Sequence, residues 1–120
     1  MAYDEILCQR VRNLLAARTA FAETKLMGGL VFMVDGNMCC GVTGASVLVR
    51  VGDAMRDSAL AKPHTRPMEF GGRSPKGFIF VDAKGCATDK ALSNWLQQAL
   101  VFVATLPRKE KRRAATKRKT

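Results

Sequence analysis

Residues 23–51 read ETKLMGGLVFMVDGNMCCGVTGASVLVRV, a stretch rich in β-forming residues that glycine-containing turns divide. Asp35-Gly36 is the two-residue signal of a tight hairpin turn, and Gly44-Ala45 marks a second turn. Gly28-Gly29 interrupts the first apolar segment, which predicts a bulge, a sharp bend or a close backbone contact there. The pattern predicts a meander of three antiparallel strands, over Glu23–Val34, Asn37–Thr43 and Ser46–Val51.

Helical periodicity lies on both sides of this meander. Apolar residues that recur every three or four positions predict a helix over Asp4–Arg18, with its first residue as the N-cap. Asp53 is expected to cap a short helix directly after the meander. Thr88 is expected to cap a long final helix that ends at Pro107. The only tryptophan, Trp95, lies on the apolar stripe of that helix, so we expect it to be buried against the sheet.

Two further strands are predicted between the second and third helices. His64–Pro67 is expected to be a loop, because proline restricts both itself and its predecessor. Met68–Phe70 and Lys76–Val81 are expected to be strands that a turn at Gly71–Pro75 separates. The order of elements is therefore α-β(3)-α-β(2)-α. It predicts an α+β fold, a two-layer sandwich with the helices on one face of an antiparallel sheet.

The net charge of +10 is concentrated at the C-terminus. Residues 108–120 contain eight basic side chains and one acidic one, and no large apolar residue follows Leu106. We therefore expect a folded domain over residues 1–106 and a basic disordered tail over residues 107–120. Such a tail binds polyanions, including nucleic acid, without sequence specificity; a solubilising extension without a partner is the alternative. The residues expected to contact phosphates are Arg108, Lys109, Lys111, Arg112, Arg113, Lys117, Arg118 and Lys119.

A second group of basic residues lies within the expected domain. Lys25, Arg50, Arg73 and Lys76, together with Arg66, could form one basic patch on loops. Scattered, solvated charges are the commoner explanation for such residues. Both interpretations stay open at the level of the sequence.

No catalytic residues can be assigned from the sequence. The segment GGRSPKG at 71–77 lacks the spacing of a phosphate-binding loop and precedes a predicted strand, so a hairpin loop is expected. The candidate acid–base carboxylates are Asp35, Glu69 and Asp82, and two of them occupy predicted turns, where aspartate has a backbone role. A small enzyme that acts on a phosphorylated or nucleic-acid substrate near Gly71–Gly77 stays the alternative function.

The cysteines predict reduced, mostly buried side chains and no metal or cofactor site. Cys8, Cys39, Cys40 and Cys86 form no CxxC pair, and His64 is the only histidine. Neighbouring residues on a strand point to opposite faces, so the thiols of Cys39 and Cys40 are expected to diverge.

Nothing in the sequence predicts a membrane segment or a secretory signal. The longest uncharged apolar run, Leu26–Val34, is far shorter than the roughly 20 residues that a membrane helix needs. The N-terminus carries Asp4 and Glu5 where a signal peptide carries positive charge. A cytoplasmic protein is therefore expected.

Five short stretches occur in an order that is typical of one family. They are KLMGGLVF at 25–32, DGNM at 35–38, RVG at 50–52, KPHTRPM at 62–68 and KGFIFV at 76–81. Together they resemble the TfoX N-terminal domain family, over roughly residues 3 to 106. The resemblance implies a small α-β(3)-α-β(2)-α two-layer sandwich, the same order of elements that the sequence pattern predicts.

The resemblance also implies a class of function. The best-known members of the family regulate natural competence as transcriptional co-regulators, and they carry a second, helical domain where this sequence has a basic tail. The family supplies no catalytic residues to carry over. It implies a regulatory or interaction module with a protein partner or nucleic acid, and it leaves the oligomeric state open.

Overall fold

The computed structural model describes residues 3–26, 28–68 and 77–107. Three helices and a six-stranded antiparallel sheet form an α+β fold, which confirms the predicted fold class. The helices are α1 (Glu5–Ala16), α2 (Asp53–Leu60) and α3 (Asp89–Val103), with a short 3-10 helix at Ala83–Cys86. The strands are β1 (Ala22–Leu26), β2 (Gly29–Val34), β3 (Asn37–Thr43), β4 (Ser46–Arg50), β5 (Thr65–Pro67) and β6 (Phe78–Val81).

The sheet has the strand order β1-β2-β3-β4-β6-β5, and every neighbouring pair is antiparallel. The first four strands form a meander because each follows its neighbour through a tight turn. The last two exchange places, so that β6 lies inside the sheet and β5 forms its edge. This exchange places residues from both halves of the chain side by side on β4, β5 and β6.

The glycine pair divides the expected first strand into two. Gly28 has a φ of +75°, a left-handed conformation that glycine adopts without strain, and the chain reverses there. A Cβ at Gly29 would lie 2.5 Å from the carbonyl oxygen of Val42 and from Oγ1 of Thr43. The meander therefore has four strands where the sequence pattern predicted three.

The expected N-cap residues are present at the start of the two long helices. The Asp4 carboxylate accepts hydrogen bonds from the backbone N–H groups of Ile6 and Leu7, and the Thr88 hydroxyl accepts one from Ala91. These satisfy donors that would otherwise have no partner within the helix. The cap of α2 was predicted wrongly, because Gly52, with a φ of +86°, occupies that position and Asp53 is the first helical residue.

The fifth strand lies where a loop was predicted. Thr65–Pro67 pairs with Ile79–Val81, whereas Met68 lies outside any strand. Proline is tolerated here because β5 is an edge strand, which does not need every N–H for pairing. The predicted strand residues Glu69 and Phe70, and the predicted turn at Gly71–Pro75, lie outside the described residues.

One apolar core lies between the helices and the sheet. It is formed by alternating residues of β2, β3, β4 and β6 and by the inward stripes of α1 and α3. Trp95 of α3 is only 7 % exposed within this core, as the sequence predicted.

The opposite side of the sheet, away from α1 and α3, carries the other alternate residues, and we call it the outer face. Its central residues include Val31, Met33, Gly41, Leu48, Arg50, Arg66, Phe78 and Phe80.

Candidate interaction face of the sheet

Two phenylalanines of β6 belong to the outer face because side chains alternate along a strand. Ile79 and Val81 are fully buried in the core, whereas Phe78 and Phe80 are partly exposed on the other side. In the register of the sheet, Phe78 lies opposite Arg50 of β4, and Phe80 lies opposite Arg66 of β5. An arginine therefore accompanies each aromatic ring across a strand pair.

Arg50 is held between two aromatic rings at the end of β4. Its guanidinium carbon lies 5.3 Å from the centroid of the Phe78 ring and 5.5 Å from that of Phe102, near the end of α3. Its Nη1 also donates a hydrogen bond of 3.2 Å to the carbonyl oxygen of Met38. The attraction between a cation and an aromatic face fixes this side chain across the end of the sheet.

Arg66 forms a polar network beside the second ring. Its guanidinium carbon lies 4.7 Å from the centroid of the Phe80 ring. Nε donates to Oδ1 of Asp82 at 2.9 Å, and Nη2 donates to the hydroxyl of Ser46 at the same distance. An ion pair as exposed as this one contributes little to stability. Its effect is to keep the guanidinium group beside the Phe80 ring, with about half of the Arg66 side chain in solvent.

This arrangement combines planar, cationic and apolar groups on one surface. Val31 and Leu48 form a buried apolar floor beside the two phenylalanines. Flat guanidinium groups and aromatic rings are the two side-chain types on which unpaired nucleic-acid bases stack. Asp82 is the carboxylate within this cluster, and Arg66 already neutralises it.

The structure separates the members of the predicted basic patch. Lys25 of β1 pairs with the core residue Leu30, so it lies on the helix side of the sheet. Arg50 lies on the outer face, three strands away, about 14 Å at the usual strand spacing. These two residues therefore do not share a surface. Arg73 and Lys76 lie outside the described residues, and so do all eight basic residues of the tail.

The glycine-rich segment is described only at its last residue. Gly77 has a φ of +87°, and its carbonyl oxygen accepts hydrogen bonds from the N–H groups of Val51 and Gly52. Residues 71–76 lie outside the described residues, so the alternative of an enzyme near this loop gains no support from the geometry. Among the candidate carboxylates, Asp35 occupies a turn with a φ of 53°, Asp82 belongs to the Arg66 network, and Glu69 is not described.

The two adjacent cysteines both point into the core, so the prediction that their thiols diverge is wrong. The register of β2 and β3 shifts between Phe32 and Met33, which leaves Cys39 as the extra residue of a β-bulge. The alternation of side chains fails at the bulge, and both cysteines are buried. A hydrogen bond from Cys40 lowers the pKa of the Cys39 thiol, and the positive charge of Arg50 adds to this effect. The same hydrogen bond, together with burial, raises the pKa of Cys40 well above its usual value.

Within residues 3–26, 28–68 and 77–107, no three histidine, cysteine or acidic side chains lie close enough to hold a metal ion. Over the same residues, no helix is both long and apolar enough to cross a membrane.

The sequence did contain a signal for the outer face. Phe78 and Phe80 are two positions apart in a short strand, and Lys76-Gly77 precedes them. The same order of residue types, a basic residue, glycine and two aromatic residues with one residue between them, occurs on the base-binding strand of RNA recognition motifs. The pairing of each ring with an arginine had no such signal, because it depends on the insertion of β6 between β4 and β5.

The fold and this face define a small α+β sandwich with a mixed aromatic and basic surface on its sheet. A family model described as the TfoX N-terminal domain matches residues 13–103. The chain therefore belongs to the TfoX N-terminal domain family, which confirms the resemblance that the sequence motifs indicated. A search of curated proteins found no match, and neither did a search of solved structures.

Proposed function

We propose that this protein is a non-catalytic regulatory module that acts in the cytoplasm through contacts with nucleic acid and a protein partner. Its membership of the TfoX N-terminal domain family supports a role of the competence-regulator type. The observation that carries the nucleic-acid part of the proposal is the distribution of charge. Seven of the ten net positive charges lie in residues 108–120.

The basic tail supplies affinity without sequence specificity. It contains no aromatic residue to stack on bases, and its lysines and arginines contact phosphates regardless of sequence. The described chain ends at Pro107, whose carbonyl oxygen accepts a hydrogen bond of 3.0 Å from the buried Asn37. A deletion that begins after Pro107 therefore leaves every described contact of the domain in place.

A titration of duplex DNA tests the tail. Full-length protein and protein lacking residues 108–120 are compared on duplexes of two sequences at several salt concentrations. We expect the full-length protein to bind both duplexes equally, with a slope of log affinity against log salt no steeper than about −7. We expect the deletion to abolish most of the binding. A control chain that replaces all eight basic tail residues with glutamine separates charge from length, and circular dichroism verifies the fold.

Two outcomes contradict the proposal for the tail. The first is a deletion variant that keeps the affinity of the full-length protein. The second is a strong preference of the intact chain for one duplex sequence, since phosphate contacts alone cannot distinguish sequences.

The outer face supports a second candidate function, the binding of unpaired bases. The cation–π pairs Arg50–Phe78 and Arg66–Phe80 offer planar groups that can stack on the unpaired bases of a single strand, whereas the bases of a duplex are already stacked on one another. Tail charges attract both forms of nucleic acid. If the outer face binds bases, the protein will therefore prefer single strands to duplexes that carry the same number of phosphates.

Replacement of Arg66 by lysine tests this second candidate in the full-length protein. The Arg66→Lys variant keeps the charge and loses the planar group, so we expect its preference for poly-dT over duplex to fall about five-fold. Arg12→Lys is the matched control, because Arg12 pairs with Glu23 on the helix side of the sheet. An equal preference in all three proteins would show that the face does not bind bases.

A further inference from the structure

A pocket of about 320 Å³ lies where three segments of the second half of the chain meet. These segments are the loop after α2, the 3-10 helix and the middle of α3. Its volume is within the range of small-molecule sites. The pocket does not belong to the outer face. Its residues 62–64 begin the KPHTRPM stretch of the family resemblance, but the sequence assigned no ligand to that stretch. The residues that line it are Lys62, Pro63, His64, Lys84, Gly85, Ala91, Asn94, Trp95 and Gln98.

The wall formed by residues 62–64 is fixed by backbone contacts. The hydroxyl of Thr65 lies 2.8 Å from the carbonyl oxygen of Lys62, and the carbonyl oxygen of His64 accepts a hydrogen bond of 2.8 Å from the N–H of Asp82. His64 has a φ of 66°, a conformation that non-glycine residues adopt uncommonly. A Cβ at Gly85 would lie 2.6 Å from Cγ1 of Val81 and 3.1 Å from the Cβ of His64, so a side chain at this position would force the neighbours apart. The backbone of this wall is therefore held in place by its neighbours.

The polar groups of the pocket are cationic or neutral. Lys62 and Lys84 supply two ammonium groups, and the amides of Asn94 and Gln98 lie one turn apart on the same side of α3. No aspartate or glutamate is among the lining residues. Within the described part of the chain, the ammonium groups and amides of these four residues form no hydrogen bond or ion pair. Lys62 instead lies over the Trp95 ring, 5.1 Å from its centroid.

We propose that this pocket binds a small organic anion, a phosphate or carboxylate ester or acid of metabolite size. Two lysines with no acidic neighbour in the pocket form a positive site, and the two amides orient the rest of the ligand by hydrogen bonds. Trp95 supplies an apolar wall. The inference does not depend on nucleic-acid binding by the tail or by the outer face, because none of the lining residues belongs to either.

Trp95 is the only tryptophan of the chain and lines the pocket, so tryptophan fluorescence reports on binding at this site. When an anion binds, the ammonium group of Lys62 moves from the aromatic ring to the ligand, which changes the emission of Trp95. A comparison of Lys84→Gln with a control outside the pocket separates this change from effects of anions that bind to the basic tail. The full-length protein is titrated at constant ionic strength with AMP as a phosphate monoester and with citrate as a polycarboxylate. Adenosine, which has the ring of AMP without its charge, is the uncharged probe.

We expect a saturable change in emission with AMP or citrate and none with adenosine. Which anion saturates distinguishes a phosphate site from a carboxylate site. Lys84→Gln removes one ammonium group and leaves Lys62, the residue over the Trp95 ring, unchanged; we expect it to raise the dissociation constant about ten-fold. Lys90→Gln is the matched control, because Lys90 is an exposed residue of α3 outside the pocket, and it should bind as the unmodified chain does.

Three results would overturn the inference. One is an emission that does not change up to millimolar AMP and citrate. Another is an equal response to adenosine and AMP, which would show that charge is irrelevant. The third is the same loss of affinity in Lys84→Gln and Lys90→Gln, which would mean that the net charge of the protein, rather than the pocket, attracts the anion.

Discussion

Two adjacent glycines at the start of β2 are required by the backbone geometry there. Gly29 faces the backbone of β3 so closely that any side chain would overlap the carbonyl oxygen of Val42. Gly28, its neighbour, has open space around the position of a Cβ but a left-handed backbone. The two adjacent glycines therefore have different physical requirements, and different substitutions distinguish them.

Replacement of Gly29 by valine is expected to lower the free energy of unfolding by more than about 1 kcal/mol, because β2 and β3 must move apart to admit the side chain. Gly28→Asn is the matched control. Asparagine adopts the left-handed conformation readily and finds no neighbour there, so we expect a cost below about 1 kcal/mol. Urea denaturation of both variants measures the difference. A Gly29→Val protein as stable as the unmodified chain would refute the close contact.

The two adjacent cysteines show the limit of prediction at the residue scale. Alternation along β3 correctly places Val42 in the core, yet it fails at Cys39 and Cys40 because a bulge adds one residue there. A bulge arises from the fit between two strands, so the sequence of one strand does not reveal it. Burial of all four cysteines was predictable from their apolar surroundings.

At the scale of elements, α3 connects two central strands of the sheet with α1 and the 3-10 helix. Its inward stripe packs against β3, β4 and α1, and Trp95 contributes the largest apolar side chain of that stripe. The opposite side of the same helix exposes Val101, which is 58 % accessible. One helix thus offers a buried and an exposed apolar residue for direct comparison.

Trp95→Ala should lower the free energy of unfolding by roughly 3–5 kcal/mol, since it removes a large buried ring and leaves a cavity. Val101→Ala should change it by less than about 0.5 kcal/mol. Urea denaturation followed by far-ultraviolet circular dichroism suits both variants, because it does not depend on the tryptophan. Equal destabilisation by the two substitutions would contradict the packing of α3.

The helices were more predictable than the strands for a physical reason. Caps such as Asp4 and Thr88 and a stripe at helical spacing are local signals, and both lie in the sequence itself. Strand β5 lacked such a signal, since its three residues end in proline and pair only with β6. A strand this short is stabilised by its neighbour, which the sequence does not specify.

At the scale of the whole molecule, the order of elements was enough to predict the fold class, but it could not predict the candidate site. Arg50 and Arg66 become neighbours of Phe78 and Phe80 only because β6 inserts between β4 and β5. Lys25 was grouped with Arg50 on charge alone, and the register of the strands places the two on opposite faces. The disordered state of the basic tail stays a prediction.

The two edges of the sheet are unequal, and this affects how copies of the protein can join. Strand β5 is three residues long and ends at Pro67, which lacks the N–H that a further strand would need. Strand β1 is longer, and all five of its residues are exposed. Among the described strands, β1 is therefore the edge that can accept a further strand. When two copies pair through β1, each copy contributes its one available edge. The product is then a closed dimer, which cannot grow into a filament.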